Sequence, residues 1–218
     1  MKTLGAAMAV IAAVALAGCQ AGLAPGEVGS GTSATEERAV AGFSAVRVSA
    51  AAIVEISIGA LVAVRVTADD NLLDNVRTQV VGERLDVGLT GGVQTRTPIL
   101  VTVTMPSLTA IEASSAGQAR VAGLAGGTLT VGGDSSGRIE VTGVVEDLDV
   151  RAGSAARLEL AGLEATRADV QLDSAAVARL HVLDSVGGSV SSAAVLMLAG
   201  APDTVDVSTS SAGVVRTE

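Results

Sequence analysis

Aromatic side chains are almost missing from this sequence: its 218 residues include one Phe and neither Trp nor Tyr. Single-stranded nucleic acids are usually held by aromatic rings on which the bases stack, and many sugar-binding sites use rings in a similar way. The formal net charge of −9 also opposes binding to a phosphate backbone. We therefore expect no nucleic-acid partner.

Cysteine is equally scarce. Cys19 is the only one in the chain, so no intrachain disulfide can form. A positive charge at Lys2 and a short apolar stretch at residues 4–16 precede it. This pattern is typical of a secretory signal, and the apolar stretch is too short to span a bilayer. LAGC at residues 16–19 resembles the bacterial lipobox, in which the cysteine is lipidated and becomes the new N-terminus. We predict a signal peptide at residues 1–18 and a membrane anchor at Cys19. An ordinary signal peptide with an incidental cysteine is the alternative.

The residues after Cys19 bear on the destination of the protein. Gln20, rather than Asp, follows the cysteine. By resemblance to enterobacterial sorting this favours the outer membrane, and exposure on its periplasmic or its external face stays open. Residues 19–37 are rich in Gly, Ser, Thr and Ala without an apolar period, so we predict a flexible tether there.

From residue 107 to the end, the sequence repeats a unit of about 19 residues with almost no insertions. Each unit carries a Ser followed two places later by Gly or Ala. The six serines are Ser115, Ser135, Ser154, Ser174, Ser192 and Ser211. Side chains four and six places after the Ser are mostly apolar, whereas those at odd offsets are largely polar, as in strands with one buried face. Each unit is therefore predicted to be a strand, a corner and a second strand.

One such unit cannot bury its inner face alone, but stacked units bury one continuous core. We predict an all-β fold: a single-stranded parallel β-helix, or solenoid, of about six 19-residue rungs at residues 107–218. Residues 38–106 are predicted to form an irregular β cap on its first rung, which would protect the rung's open edge. Within this cap, Gly59 and Ala60 are expected to join two strands as a hairpin, and DDNLLDNV at 69–76 to form a short helical turn.

Three segments resemble a known bacterial family: RAVAGFSAVRVS at 38–49, VTADDNLLDNVRTQVVGERLDVGL at 66–89 and VTVTMPSLTAIEASSAG at 101–117. Followed by Ser-x-Gly rungs, they look like the auto-transporter adhesin head GIN domain, and the resemblance covers residues 38–218. It implies an exported β-helical protein of unknown biochemical activity. The family usually has Gly-Ser-Gly at its corners, whereas this chain often has Ser-Ala-Ala, which keeps the small size but loses backbone freedom.

Few residues are candidates for chemistry. A serine hydrolase would need His181 as its base, but the odd offset of His181 from Ser174 points it away from an inward-facing serine. We predict instead that the serines form a structural ladder whose hydroxyls bond to the backbone or to one another. Asp69, Asp70 and Asp74 lack the spacing of a calcium loop. Asp149, Asp169 and Asp206 share one offset and are expected to form a solvated acidic stripe. The sequence predicts no metal, no cofactor and no enzymatic activity.

Two classes of function remain. The preferred one is a non-enzymatic, lipid-anchored cell-envelope protein that presents a rigid rod to a protein or glycan partner. The alternative is a carbohydrate-active enzyme or a glycan-binding protein with a groove along the helix. Two carboxylates about 5 to 9 Å apart in a surface pocket would favour the alternative, since these are the separations found in glycosidases.

Overall fold

The computed structural model describes residues 26–218, which form eighteen strands and one short 3₁₀ helix, η1 (Asp70–Asn75). In chain order the strands are β1 (Glu27–Val28), β2 (Ser33–Arg38), β3 (Ala45–Val48), β4 (Ile53–Ile58), β5 (Ala63–Asp69), β6 (Val76–Val81), β7 (Arg84–Leu89), β8 (Val93–Gln94), β9 (Leu100–Met105), β10 (Ala110–Ala113), β11 (Gln118–Ala125), β12 (Thr128–Gly133), β13 (Arg138–Ala152), β14 (Arg157–Leu172), β15 (Val177–Val190), β16 (Val195–Ala199), β17 (Thr204–Thr209) and β18 (Val214–Thr217). Among these residues, no helix is both long and apolar enough to cross a membrane.

The regular part of the chain is a parallel β-solenoid, as the repeat predicts. Each rung consists of a strand, a four-residue corner and a second strand. The long strands β13, β14 and β15 each serve two rungs: the first part of β13 pairs with β11, and its last part pairs with β12. The six corners at the repeat serines define the six predicted rungs, and the chain makes about five complete turns between the first of these corners and the last.

The core is a column of small aliphatic side chains, and its inward positions are those that the alternation predicts. Ile139, Leu158 and Leu196 each expose 1% of their surface or less. The parallel register places equivalent residues one above another, for example Val150 beside Val170. Because each inner side chain rests on its counterpart in the next rung, the apolar surface of every interior rung is covered on both sides.

The solenoid begins earlier than the repeat suggests. β3 and β4 flank a corner at Ala50 and Ala51, and they pair in parallel with β10 and β11, so residues 45–58 form a rung. β7 and β9 then pair with the opposite edges of β3 and β4 and form the first rung of the stack. The order of the rungs along the rod therefore differs from their order in the chain.

The hairpin predicted at Gly59 and Ala60 is wrong. β4 and β5 are not neighbours, because β9 lies between them, parallel to β4 and antiparallel to β5. Alternating apolar residues define which face of a strand is buried, but they do not select the strand's partner.

Antiparallel strands cover the first rung. β5 and then β2 extend the sheet beyond β9, β6 covers β7, and η1 joins β5 to β6. η1 confirms the predicted helical turn, and its Leu72 is fully buried. We call residues 26–38 and 63–81 the cap.

The part of the predicted tether that the structure describes is ordered. Ser33–Arg38 is the strand β2, which pairs antiparallel with β5 over its whole length. The segment has no apolar period because it lies at the outer edge of the sheet. Its order comes from backbone pairing rather than from burial of side chains. The predicted signal peptide and Cys19 lie outside the described residues.

Candidate functional site

The six repeat serines occupy the corners of successive rungs, and their side chains are exposed. Each has a φ between 47° and 53°, in the left-handed region, and the residue that follows it is left-handed too. With the corner at Ala50 and Ala51, fourteen residues other than Gly adopt positive φ in seven corners. Side chains other than Gly rarely take this conformation, so the corners contain local backbone strain.

Backbone hydrogen bonds hold neighbouring corners together. After each of the first five serines, the next N–H donates to the carbonyl oxygen of the serine in the following rung; Ala155 N, for example, lies 2.9 Å from Ser174 O. The expectation that the serines face inward is therefore wrong. The hydroxyl bonds found for Ser135 and Ser154 go to the carboxylate of Asp134 rather than to the backbone or to another serine. Two consecutive left-handed residues direct the backbone N–H and C=O groups along the axis of the rod, and they leave the serine side chain on the outer surface.

His181 does not form a catalytic pair with a serine. It lies half-buried on the outer face of β15, and its ring packs against Gly200, where an added Cβ would come within 2.8 Å of the His181 Cδ2. No side-chain hydrogen bond joins His181 to a serine within residues 26–218. The arrangement that a serine hydrolase requires is not present in this part of the chain.

Asp69 is the only charged residue in the described chain that is fully buried. Its carboxylate accepts hydrogen bonds from the backbone N–H groups of Gly31 (2.9 Å), Arg96 (2.8 Å) and Thr97 (3.2 Å). Burial alone would raise the pKa of Asp69, but these bonds outweigh it and lower the pKa below its ordinary value of 3.8. Asp69 therefore ties the chain's entry to the loop before β9, which is a structural role.

The other candidate ligand and stripe residues do not form a site either. Within residues 26–218, no group of three His, Cys, Asp or Glu side chains is arranged to hold a metal ion, and Asp70 and Asp74 are not brought together with Asp69 as ligands. Asp149 and Asp169 are register neighbours, but Gly187 separates them from Asp206, so the acidic stripe is interrupted.

A polar groove runs beside the corners on the outer face of the sheet formed by β3, β10, β12 and the second halves of β13 and β14. Its volume is about 670 Å³. Residues that line it include Arg47, Glu112, Asp134, Arg151, Gly153 and Asp173. Arg47 donates from Nε to the Glu112 carboxylate at 2.6 Å, and Arg151 pairs with Asp149 at 2.9 Å. The groove therefore offers both signs of charge to a ligand.

Two carboxylates converge in this groove across Gly153. A Cβ added to Gly153 would lie 3.1 Å from Oδ1 of Asp173 and 3.9 Å from Oδ1 of Asp134, so the two oxygen atoms are at most about 7 Å apart. The two aspartates come from rungs on either side of Gly153, each directly before a corner serine. Since Gly has no side chain, it leaves a gap between them.

The hydrogen bonds to Asp134 suit this carboxylate to binding rather than to acid catalysis. The hydroxyl of Ser154 and then the backbone N–H of Ser135 donate to Asp134 and lower its pKa below 3.8. A glycosidase of this geometry needs one carboxyl group that remains protonated, which requires a raised pKa. Asp134 is ionised at neutral pH and can accept hydrogen bonds or pair with a cation, but it is unsuited to donate a proton.

Sequence reasoning missed Asp134 and Asp173 as a pair. The available signal was their shared offset, one place before a corner serine, with Gly153 at the same offset in the rung between them. The repeat marks the corner serine, whereas the groove is formed by the residue that precedes this serine in each rung.

Comparisons with known proteins agree with this architecture. The model of the family described as "Putative auto-transporter adhesin, head GIN domain" matches residues 42–216, well over half of the chain. No curated protein matches the chain in sequence.

Several solved structures share the fold. A "putative adhesin" from Bacteroides fragilis NCTC 9343 superposes with a TM-score of 0.73 at 14% identity, over 88% of this chain and 100% of that one. A "putative adhesin" from Parabacteroides distasonis ATCC 8503 gives 0.53 at 18% identity, over 88% and 99% of the two chains. A "putative lipid binding protein" from the same strain gives 0.53 at 16% identity, over 88% and 98%. At these identities the likeness shows the fold alone.

Proposed function

Because the chain belongs to the auto-transporter adhesin head GIN domain family, we propose that it is a lipid-anchored cell-envelope protein that presents a rigid solenoid for adhesion, without enzymatic activity. The family description and the adhesin names of the structural neighbours support an adhesion-like role at the cell envelope. The lipid anchor at Cys19, the outer membrane and a protein or glycan partner are the finer parts of the proposal.

The observation that carries the proposal is the place where the chain enters the rod. β1 pairs with β8, which lies between the two strands of the first rung, so the described chain begins at the capped end. Cys19 is only eight residues before Glu27. A lipid on Cys19 would hold the capped end near the membrane. The last rung, β17 and β18, would then face away from it.

The length of the rod suits presentation at a distance. Eight stacked rungs, from β7 and β9 to β17 and β18, are separated by seven spacings of about 4.8 Å, or roughly 34 Å in all. The strands follow one another with short connections, so the sides of the rod are open surfaces with shallow grooves rather than an enclosed cleft. Such surfaces suit contact with a large partner better than turnover of a small substrate.

The anchor is tested by the variant Cys19→Ser, expressed in a bacterium with an outer membrane and labelled with a palmitate analogue. We expect loss of the label and of processing to the mature size, because acyl chains supply about 0.8 kcal/mol per buried CH₂ and need the thiol for attachment. Ser33→Ala, an exposed change in β2, is the matched control. Normal labelling of Cys19→Ser would refute the lipid anchor. A separate experiment, protease treatment of intact and permeabilised cells that express the wild-type chain, would show which face of the outer membrane carries the rod.

The groove supports a second candidate, a glycan-binding protein. Asp134 and Asp173 lie at a separation compatible with the carboxylates of carbohydrate-active proteins. If glycans bind here, Asp134→Asn with Asp173→Asn should abolish retention on a glycan array, and Asp169→Asn, outside the groove, should not. Binding that survives the double substitution would exclude the groove as the glycan site.

A further inference from the structure

The last rung ends the rod without cover from any other part of residues 26–218. β17 pairs only with β15, and β18 pairs only with β16. Its inner side chains are accordingly less covered than those of the rung before: 46% of the surface of Val205 is accessible, against 1% for its neighbour Val186, and Val207 and Val215 are half-buried. This rung, residues 204–217, is called the open end below.

The backbone of the open end is free to pair with another strand. The N–H groups of Ser210 and Val214 donate back to the preceding rung, at 3.1 Å to Val190 O and 3.0 Å to Ala194 O. Backbone groups point alternately to the two sides of a strand, so those of Val207 and Val215 point to the uncovered edge. Neither edge strand contains Pro or Lys, the residues that commonly prevent edge pairing.

The charges of the open end are arranged symmetrically about the corner. Asp206 lies five residues before Ser211, and Arg216 lies five residues after it; both are exposed on the outer face. In an antiparallel contact about a two-fold axis through the corner, each residue of β17 faces the residue of β18 of a second copy that is equally far from Ser211. Asp206 of each copy then faces Arg216 of the other, so the contact contains two such pairs.

This register is favoured over its neighbours. It also places Val207 opposite Val215 of the second copy, so that two residues with free backbone groups form a hydrogen-bonded pair. A shift by two residues in one direction would place Asp206 opposite Glu218, two like charges. A shift by one residue would put the valines opposite outward-facing side chains.

We propose that the open end binds the open end of a second copy of this chain, forming a head-to-head dimer with two-fold symmetry. The outer strands of the capped end, β2 and β6, run antiparallel to the strands that they cover, so they do not repeat the parallel register of the rungs. A head-to-tail contact would propagate into a fibre, whereas the two-fold contact between open ends closes on itself.

The dimer has a consequence that rests on the proposed function. If each chain is anchored near its capped end, the two anchors of a dimer lie at opposite ends of a double rod roughly 70 Å long, by the spacing of about 4.8 Å between rungs. Two anchors at opposite ends of a rigid rod are poorly placed to insert into the same flat membrane. The dimer would instead join two surfaces, which makes the adhesion homotypic.

The contact is tested by sedimentation velocity over a concentration series on the full chain carrying Cys19→Ser, so that no disulfide joins two copies. Interference optics are needed because the chain has no Trp or Tyr. We expect a reversible dimer. Asp206→Arg and Arg216→Asp should each weaken it by about tenfold or more, since each variant replaces two attractive contacts by two repulsive ones.

An equimolar mixture of the two variants should restore the dimer, because in the mixed pair each of the two contacts again joins an arginine of one copy to an aspartate of the other. Asp169→Arg, which changes an exposed aspartate in the same column of an interior rung, should leave dimerisation unchanged. A monomer at all concentrations, or a dimer that neither reversal weakens, would overturn the proposed contact.

Beads that carry the wild-type chain through a maleimide link to Cys19, the only thiol, test the homotypic adhesion separately. Clustering of these beads, and its loss with Arg216→Asp, would support it. Beads that stay dispersed although the chain dimerises in solution would overturn the bridging orientation and leave the dimer contact intact. A monomer in solution would overturn the contact whatever the fate of the anchor.

Discussion

The two ends of the solenoid differ in how their edges are treated. At the capped end, antiparallel strands and η1 cover the first rung, and its inner side chains, such as Leu85 and Val101, have no exposed surface. At the open end, residues 26–218 supply no such cover, and Val205 remains 46% exposed. The same alternation of apolar and polar residues builds both ends. The difference lies in the cap, which depends on polar contacts between distant segments, whereas the rungs depend on repetition.

The comparison predicts that single polar contacts matter most in the cap. Asp69→Ala removes the acceptor of three part-buried backbone N–H groups, so we expect the thermal midpoint to fall by roughly 5–10 °C. Asp169→Ala, an exposed aspartate of a rung without a salt bridge among the described residues, should barely change it. Circular dichroism melts measure both, and equal effects would remove the distinction between cap and rungs.

The same contact makes stability depend on pH. Because the folded pKa of Asp69 lies below its unfolded value of 3.8, its contribution is fully present above pH 3.8. It is lost as the pH falls through the folded pKa, since protonation then favours the unfolded chain. Asp69→Asn should therefore flatten the acid limb of the stability curve below pH 3.8 and leave its shape near pH 7 unchanged. An unchanged acid limb would show that Asp69 does not titrate in this way.

Within the rungs, size at the inner corner positions should matter next. Ala156 is fully buried, and a Cβ added to the adjacent Gly133 would already lie 2.9 Å from the Ala156 Cβ. We expect Ala156→Leu to cost about 1 to 3 kcal/mol by overpacking. Arg157→Leu, one residue further on the outer face, should cost less than about 0.5 kcal/mol. Denaturant melts that rank the two variants in the opposite order would place the inside and the outside of the rung the wrong way round.

Left-handed backbone positions distinguish the two regions again. The turn between β6 and β7 in the capped end uses Gly82, with a φ of 64°, whereas the interior corner uses Ala155 at nearly the same φ of 62°. Gly82→Ala should therefore destabilise the protein by about 1 kcal/mol. Ala155→Gly should stabilise it by up to about 1 kcal/mol, since relief of strain exceeds the added entropy of the unfolded chain. If Ala155→Gly destabilises the fold, the corners are not strained.

The smallest effect is expected for a corner hydroxyl. Ser154→Ala removes the bond to the exposed Asp134 and should cost less than about 1 kcal/mol. The pKa of Asp134, followed by NMR, should rise towards 3.8, because the largest cause of its lowering is removed. Ser211→Ala, whose neighbour in the preceding rung at the place of Asp134 is Ser191 rather than an aspartate, is the control. An unchanged pKa of Asp134 would show that the hydroxyl does not reach the groove.

The repeat predicted the rungs well because a solenoid is locally determined: each unit has the same pattern and meets a copy of itself. Ala156 inside and Arg157 outside follow from counting by two. The groove could not be predicted in the same way. Asp134 and Asp173 are 39 positions apart in the chain, and only the stacking of the rungs shows that Gly153 leaves a gap between them.

Alternation and a repeated small residue in the sequence are enough to specify the solenoid, the inward face of its strands and the six corners at the repeat serines. Neither of them specifies which strands become neighbours at the capped end. There β9 separates β4 from β5, and β2 joins the sheet although its pattern resembles that of a tether. The physical reason is that alternation specifies a buried face, whereas the partner of a strand is chosen by the free edge that the rest of the chain offers to it.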